Sequence, residues 1–177
     1  MATERAGSNA DIPGTASSPY SKLFVLSLSR TTLVDRDPDW VFRRLHDPET
    51  LLGCVPGGSL TKVIDAERFE GRIGFGAGPF KFAFEGEGRI TESDPKARTA
   101  SLRLQGLAER RTPYVRIRMS MAVHRHLGGS ELQMSFWVTV VVRAGLLSRG
   151  WVDPIATDLL DRTVHRIKRN LEATHGL

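Results

Sequence analysis

Gly76-Ala77-Gly78-Pro79-Phe80-Lys81-Phe82-Ala83-Phe84-Glu85-Gly86-Glu87-Gly88-Arg89-Ile90 is the stretch whose reading decides the fold. Two alternating runs meet at Gly78-Pro79. On the near side Gly71, Ile73, Phe75 and Ala77 fall on one face of a strand. On the far side Phe80, Phe82, Phe84 and Ile90 share a face, and Lys81, Glu85, Glu87 and Arg89 take the other. Strand side chains alternate with period two, so the stretch predicts a hairpin with one dry and one wet face. The dry face carries four aromatics and no ionisable group. Gly86 and Gly88 interrupt it and leave room for a bend or for something lying against the sheet.

The same alternation extends in both directions. Phe24, Leu26 and Leu28 mark a first strand over about residues 23–34. Asp37-Pro38 and Asp47-Pro48 each read as an N-cap followed by proline at the first helical position, so two short helices follow. Pro56-Gly57-Gly58 ends the second. Strands are expected near 58–65, 67–77, 79–92, 97–106, 114–127 and 130–142, with turns at Asp65 to Glu67, Gly78-Pro79, Asp94-Pro95 and Gly128-Gly129. Val115, Ile117, Met119, Met121 and Val123 face one way; Leu132, Met134, Phe136, Val138, Val140 and Val142 make the apolar face of the last strand.

Trp151, Ile155, Leu159, Leu160, Val164, Ile167 and Leu171 recur at three and four residues, the stripe of a long amphipathic helix over about 146–173. Pro154 stands near its start. One strand, two short helices, six strands and one long helix give an α+β fold, a seven-stranded antiparallel sheet curved round the C-terminal helix. Residues 1–21, rich in small residues and proline and without periodicity, are expected to be a disordered leader, and 22–177 a single domain.

A net charge of +5 and a pI near 9.9 come mostly from arginine and leave room for an anionic partner. No apolar run is long enough to span a bilayer, and residues 1–21 hold no signal-peptide core, so a cytoplasmic location is expected. The single cysteine, Cys54, cannot form an internal disulfide. It reads as a small buried apolar residue, because nothing in the sequence nominates a base to activate it.

Chemistry-bearing patterns are sparse. By alternation Glu85, Glu87, Arg89, Arg103, Arg116, Arg118, His124 and His126 fall on faces opposite the apolar ones. His124 and His126 share a strand face, yet no carboxylate or thiol completes a metal site. Gly74, Gly76 and Gly78 lack the following helix a phosphate loop needs. No catalytic residue, cofactor or metal site is therefore expected. The candidate ligand-binding cavity comprises Phe75, Phe80, Phe82, Phe84, Met119, Met121, Met134, Phe136, Trp151, Ile155 and Leu159, with His46 at its mouth to meet a ligand carbonyl. Arg162, Arg166 and Arg169 recur at i, i+4 and i+7 away from the apolar stripe, a solvated face or a contact for anionic lipid. The patch has no interleaved aromatics and no recognition motif for nucleic acid.

The order of elements resembles the helix-grip, START-like (SRPBCC, Bet v 1-type) superfamily. Asp47-Pro48-Glu49-Thr50-Leu51-Leu52, Cys54-Val55-Pro56-Gly57 and Gly78-Pro79-Phe80-Lys81-Phe82-Ala83-Phe84-Glu85-Gly86 are similar to one branch, the carbon monoxide dehydrogenase G-subunit family. The resemblance covers about residues 23–173. It implies a cavity between sheet and long helix for a lipophilic molecule, quinone-like or polycyclic. It implies an accessory role beside a molybdenum hydroxylase complex, with peripheral contact to the inner face of the membrane. The same fold also admits a cyclase or aromatase-like enzyme, which inward-facing His46 or Arg36 would favour, and a ligand-free adaptor.

Overall fold

The computed structural model describes residues 21–77, 80–108, 114–145 and 148–173, with the backbone alone at 21, 75–77 and 80. In chain order the elements are β1 (Ser21–Val34), α1 (Pro38–Leu45), α2 (Pro48–Cys54), β2 (Gly58–Val63), β3 (Arg68–Ala77), β4 (Phe80–Asp94), β5 (Thr99–Ala108), β6 (Tyr114–His126), β7 (Gly129–Arg143) and α3 (Arg149–Ala173). The strands form one antiparallel sheet in the order β1-β7-β6-β5-β4-β3-β2. The fold expected from sequence is the one observed. Consecutive strands pair as a meander from β2 to β7, and β1 closes onto β7 after both short helices have been inserted.

Each helix start follows from its cap. The Asp37 side chain accepts from the backbone N–H groups of Asp39 and Trp40, and that of Asp47 from Thr50, which satisfies donors no turn of helix can reach. Hydrogen bonds to Trp40 hold the Asp37 carboxyl below its usual range, and those to Thr50 do the same for Asp47. Gly57 has φ +70, and a Cβ there would collide with the carbonyl of Gly74. That close approach carries a hydrogen bond from Gly74 N–H to Gly57 O at 3.0 Å, tying the exit of α2 to β3.

Two expectations shift. The turn between β6 and β7 centres on Leu127 and Gly128, both at positive φ, and Gly129 already belongs to β7 opposite His126. Positive φ at both central positions is the type I′ two-residue hairpin, so the register moves back by one. Ser21 is part of β1, so the sheet begins inside the expected leader; residues 1–20 lie outside the described ones, as does the Gly78-Pro79 turn. α3 runs from Arg149, and Ser148 accepts from the N–H groups of Trp151 and Val152.

The main core lies where the C-terminal half of α3 meets α1, α2 and the sheet. Ile167, Leu171, Leu45, Val41, Val123 and Leu132 are almost wholly removed from water there. The end of β1 grips the end of that helix. Arg36 donates to the carbonyls of Leu171 and Glu172 at 3.2 and 2.9 Å. The Asp35 N–H donates to the Glu172 carboxylate, and Lys168 pairs with Glu172 and donates to Leu33 O. Cations at a helix C-terminus satisfy orphan carbonyls and complement the helix dipole.

Candidate ligand cavity

Between the concave face of the sheet and the N-terminal half of α3 lies a cavity of about 210 Å³, partly open to solvent. Inward-facing rows of β3 to β7 form its walls, α3 roofs it, and Leu51, Leu52 and Val55 from α2 and its exit close one end. The strands face it with the side chains the period-two pattern assigns inward. Phe82 and Phe84 come from β4, Met119 from β6, Met134 and Phe136 from β7, and Ile155 and Leu159 from α3. The Phe82 and Phe84 rings lie nearly parallel, 20° apart with centroids separated by 6.3 Å.

Five members of the expected set lie elsewhere or outside the description. Met121 sits on the correct face of β6 but one step nearer α1, buried in the main core at 4% exposure. Trp151 is 48% exposed and does not line the cavity. The inward place at that turn is taken by the adjacent Val152, which packs onto Phe24, Leu26 and Val142. The side chains of Phe75 and Phe80 lie outside the described residues; their backbones oppose Phe82 and Ala77.

His46 is not at the mouth. It borders a separate space of about 20 Å³, its Nε2 3.0 Å from Ser93 Oγ and its ring 5.7 Å from that of Phe42. Arg36, the other potential inward group, is occupied at the end of α3.

Sequence reasoning missed the contribution of α2, of Leu102 and Leu104 on β5, and of Gly106, which extends the glycines it had placed on the dry face into a row across three strands. Gly71, Gly86 and Gly106 oppose one another across β3, β4 and β5 and all border the cavity. Leu52 covers Gly71, its Cδ1 2.8 Å from where a Cβ would stand, and Phe69 lies over the neighbouring Gly88. At Gly86 a Cβ would meet the β5 backbone at Gln105, so the strands approach closely where the sheet bends. The Leu102, Leu104, Gly106 alternation was the available signal.

The lining is almost entirely carbon. Thr163 spends its hydroxyl on Leu159 O at 2.8 Å. Glu87 and Gln105 border the cavity beside the glycines, but they belong to the outward-facing row. Cys54 is buried apart from the cavity, takes a contact from Asn170 Nδ2 at 3.5 Å, and burial raises its pKa, so its thiol stays protonated. Among the described residues no three His, Cys, Asp or Glu side chains come together as a metal site. On the outer surface of α3, Arg162 pairs with Asp158 at 3.0 Å, Arg166 is half-buried and Arg169 is exposed.

The model of the carbon monoxide dehydrogenase G-subunit (CoxG) family matches residues 31–172. The chain belongs to the CoxG family. No curated protein matches it by sequence. Its fold is similar to that of a conserved protein from Geobacillus kaustophilus, with a TM-score of 0.72 and 16% identity over 85% of this chain and 98% of that one. The Zhui aromatase/cyclase from Streptomyces sp. R1128 aligns with a TM-score of 0.62 and 15% identity over 87% of this chain and 100% of that one. Ara h 8.0201 aligns at 0.54 and 12% identity over 84% and 98%. These neighbours share the helix-grip fold. Among the described residues no helix is long and apolar enough to cross a membrane.

Proposed function

We propose that this protein holds a quinone-like lipophilic molecule under the N-terminal half of α3, as an accessory ligand-binding protein of its family. The observation that carries this reading is the carbon-lined cavity of about 210 Å³, whose described lining includes a single titratable residue, Glu87, on the outward-facing row. Such a site binds by shape and apolar burial and leaves an uncharged guest unaltered. Size narrows the class. An apolar cavity of about 150 Å³ accommodates benzene, so one or two fused rings suit this space better than a four-ring polycycle. A cyclase would need an acid or base at the guest, and neither His46 nor Arg36 faces the cavity. A molybdenum hydroxylase complex as physiological partner, and peripheral membrane contact through Arg162, Arg166 and Arg169, belong to the same proposal.

Native mass spectrometry of protein purified from its own host, with extraction of any bound molecule, tests the ligand class directly. Thermal unfolding with added 1,4-naphthoquinone tests it in vitro. At a hundredfold excess over Kd a ligand specific to the folded state adds about 2.7 kcal/mol, so Tm should rise by roughly 5–10 °C. An empty protein whose Tm ignores naphthoquinone and anthraquinone alike would overturn the reading.

A further inference from the structure

The outer face of the sheet carries a pattern the cavity does not use. Arg68 on β3 opposes Arg89 on β4, Arg89 opposes Arg103 on β5, and Arg103 opposes Arg118 on β6. The row runs on into Trp137 on β7 and Ser27 on β1. All four arginines are exposed, and Trp137 is 43% exposed. With neighbouring strands about 4.8 Å apart, the four stems leave the sheet within about 15 Å. Like charges placed directly opposite destabilise a sheet. Three consecutive such pairs are a stability cost that the fold itself does not require.

The surroundings of the row change along it. At the β3–β4 end acids accompany the arginines: Asp65 pairs with Arg68 at 2.7 Å, and Glu70 opposes Glu87 in the next row. Towards β6 the acids run out. Arg103 has Glu87 and Glu92 only on the diagonal, and Arg118 is flanked by Ser120, Arg116, Gln105 and Thr139. Among the described residues neither Arg103 nor Arg118 lies within ion-pair distance of a carboxylate. Beyond Trp137, Val25 and Leu23 on β1 are 55% and 56% exposed and continue the same face as an apolar strip.

We propose that the outer face formed by β5, β6, β7 and β1 docks an acidic protein surface, with carboxylates on Arg103 and Arg118 and apolar side chains against Trp137, Val25 and Leu23. Arginine and tryptophan together are the composition of protein interface hot spots, and the guanidinium fork matches a carboxylate in two hydrogen bonds. A bilayer fits this face less well. Ser27, Ser29, Ser135 and Thr139 interleave with the apolar residues; Ser29 and Ser135 pair with each other at 3.0 Å, and lipid tails offer the hydroxyls of Ser27 and Thr139 no partner where a protein surface can. A nucleic acid following the arginine row would meet Glu70, Glu87 and Glu92, and one tryptophan gives it a single stacking platform.

The test uses the intact protein and the copolymer poly(Glu,Tyr), which offers carboxylates and rings together, beside phosphatidylcholine/phosphatidylglycerol vesicles and an oligo-dT strand. Arg103→Gln/Arg118→Gln should weaken poly(Glu,Tyr) binding about tenfold or more, and Trp137→Ser severalfold, as expected where hot-spot contacts are lost. Arg162→Gln/Arg169→Gln, an equal change of charge on α3, should leave it within about twofold. Removing the opposed charges should also raise the urea midpoint of Arg103→Gln/Arg118→Gln. Equal losses from both double variants would make the binding mere charge attraction and overturn the proposal. So would a lower midpoint in the sheet variant, or tighter binding of vesicles or oligo-dT through the same arginines.

Discussion

The two halves of α3 do different work on the same helix. From Thr163 to Leu171 the apolar residues at spacings of three and four are buried, and Arg36, Asp35, Leu33 and Lys168 fasten the final turn to the end of β1. From Arg149 to Leu159 the stripe is looser. Trp151 faces solvent, Ile155 and Leu159 are half-buried over the cavity, and Pro154 removes one N–H from the helix ladder. One half of the helix is packed as core and the other roofs a space. Close packing and cavity are thus divided along a single element.

Truncations should expose that division most strongly. Ile167→Ala removes a fully buried side chain from the fastened half and should cost about 2–5 kcal/mol in urea unfolding. Ile155→Ala, facing space that already exists, should cost about 1 kcal/mol or less. Equal costs would erase the contrast. Next in size is the clasp itself. Arg36→Met leaves the carbonyls of Leu171 and Glu172 without their charged donor and should cost about 1–2 kcal/mol. Naphthoquinone affinity should change little, since Arg36 lies away from the cavity.

The converse change sharpens the other side. Ala156→Leu fills the roof of the cavity and should weaken naphthoquinone binding about tenfold while Tm holds or rises. A variant that binds as well as the parent would show that the guest sits elsewhere. The smallest effect concerns a cap that serves both halves through α2. Asp47→Ala should cost about 1 kcal/mol at neutral pH. Hydrogen bonding to Thr50 lowers the folded pKa of Asp47 below 3.8, so the stabilisation is complete above that value and fades as pH falls through the lowered one. The gap between parent and variant should therefore shrink in acid and nowhere else.

The walls of the cavity were legible in the sequence because strands write their faces with period two. Phe82, Phe84, Met119, Met134 and Phe136 could be read off alternation, and the structure sets each against the cavity. The limits of the cavity along each element were not legible. Met121 obeys the same alternation as Met119 yet lies in the main core, bordering only the small space beside His46, because the short helices pack over that part of the sheet. Trp151 obeys the helical spacing yet is about half exposed, because the apolar residue beside it, Val152, takes the inward place at that turn. Leu51, Leu52 and Val55 carried only the signature of a short helix with buried residues, and their role depends on where the chain places that helix after β1. The arginine row was hidden for a related reason: four residues on four strands become neighbours only once the register is fixed.

Fastening one end of α3 turns the helix into a cantilever. Thr163, at the inner edge of the packed half, lies twelve residues from Trp151, a reach of about 18 Å at 1.5 Å per residue. A tilt of about 5° about that pivot would displace the far end by about 1.6 Å and lift Val152 from Phe24, Leu26 and Val142. A guest thick enough to tilt the beam would be registered at its tip, by the half-exposed indole of Trp151.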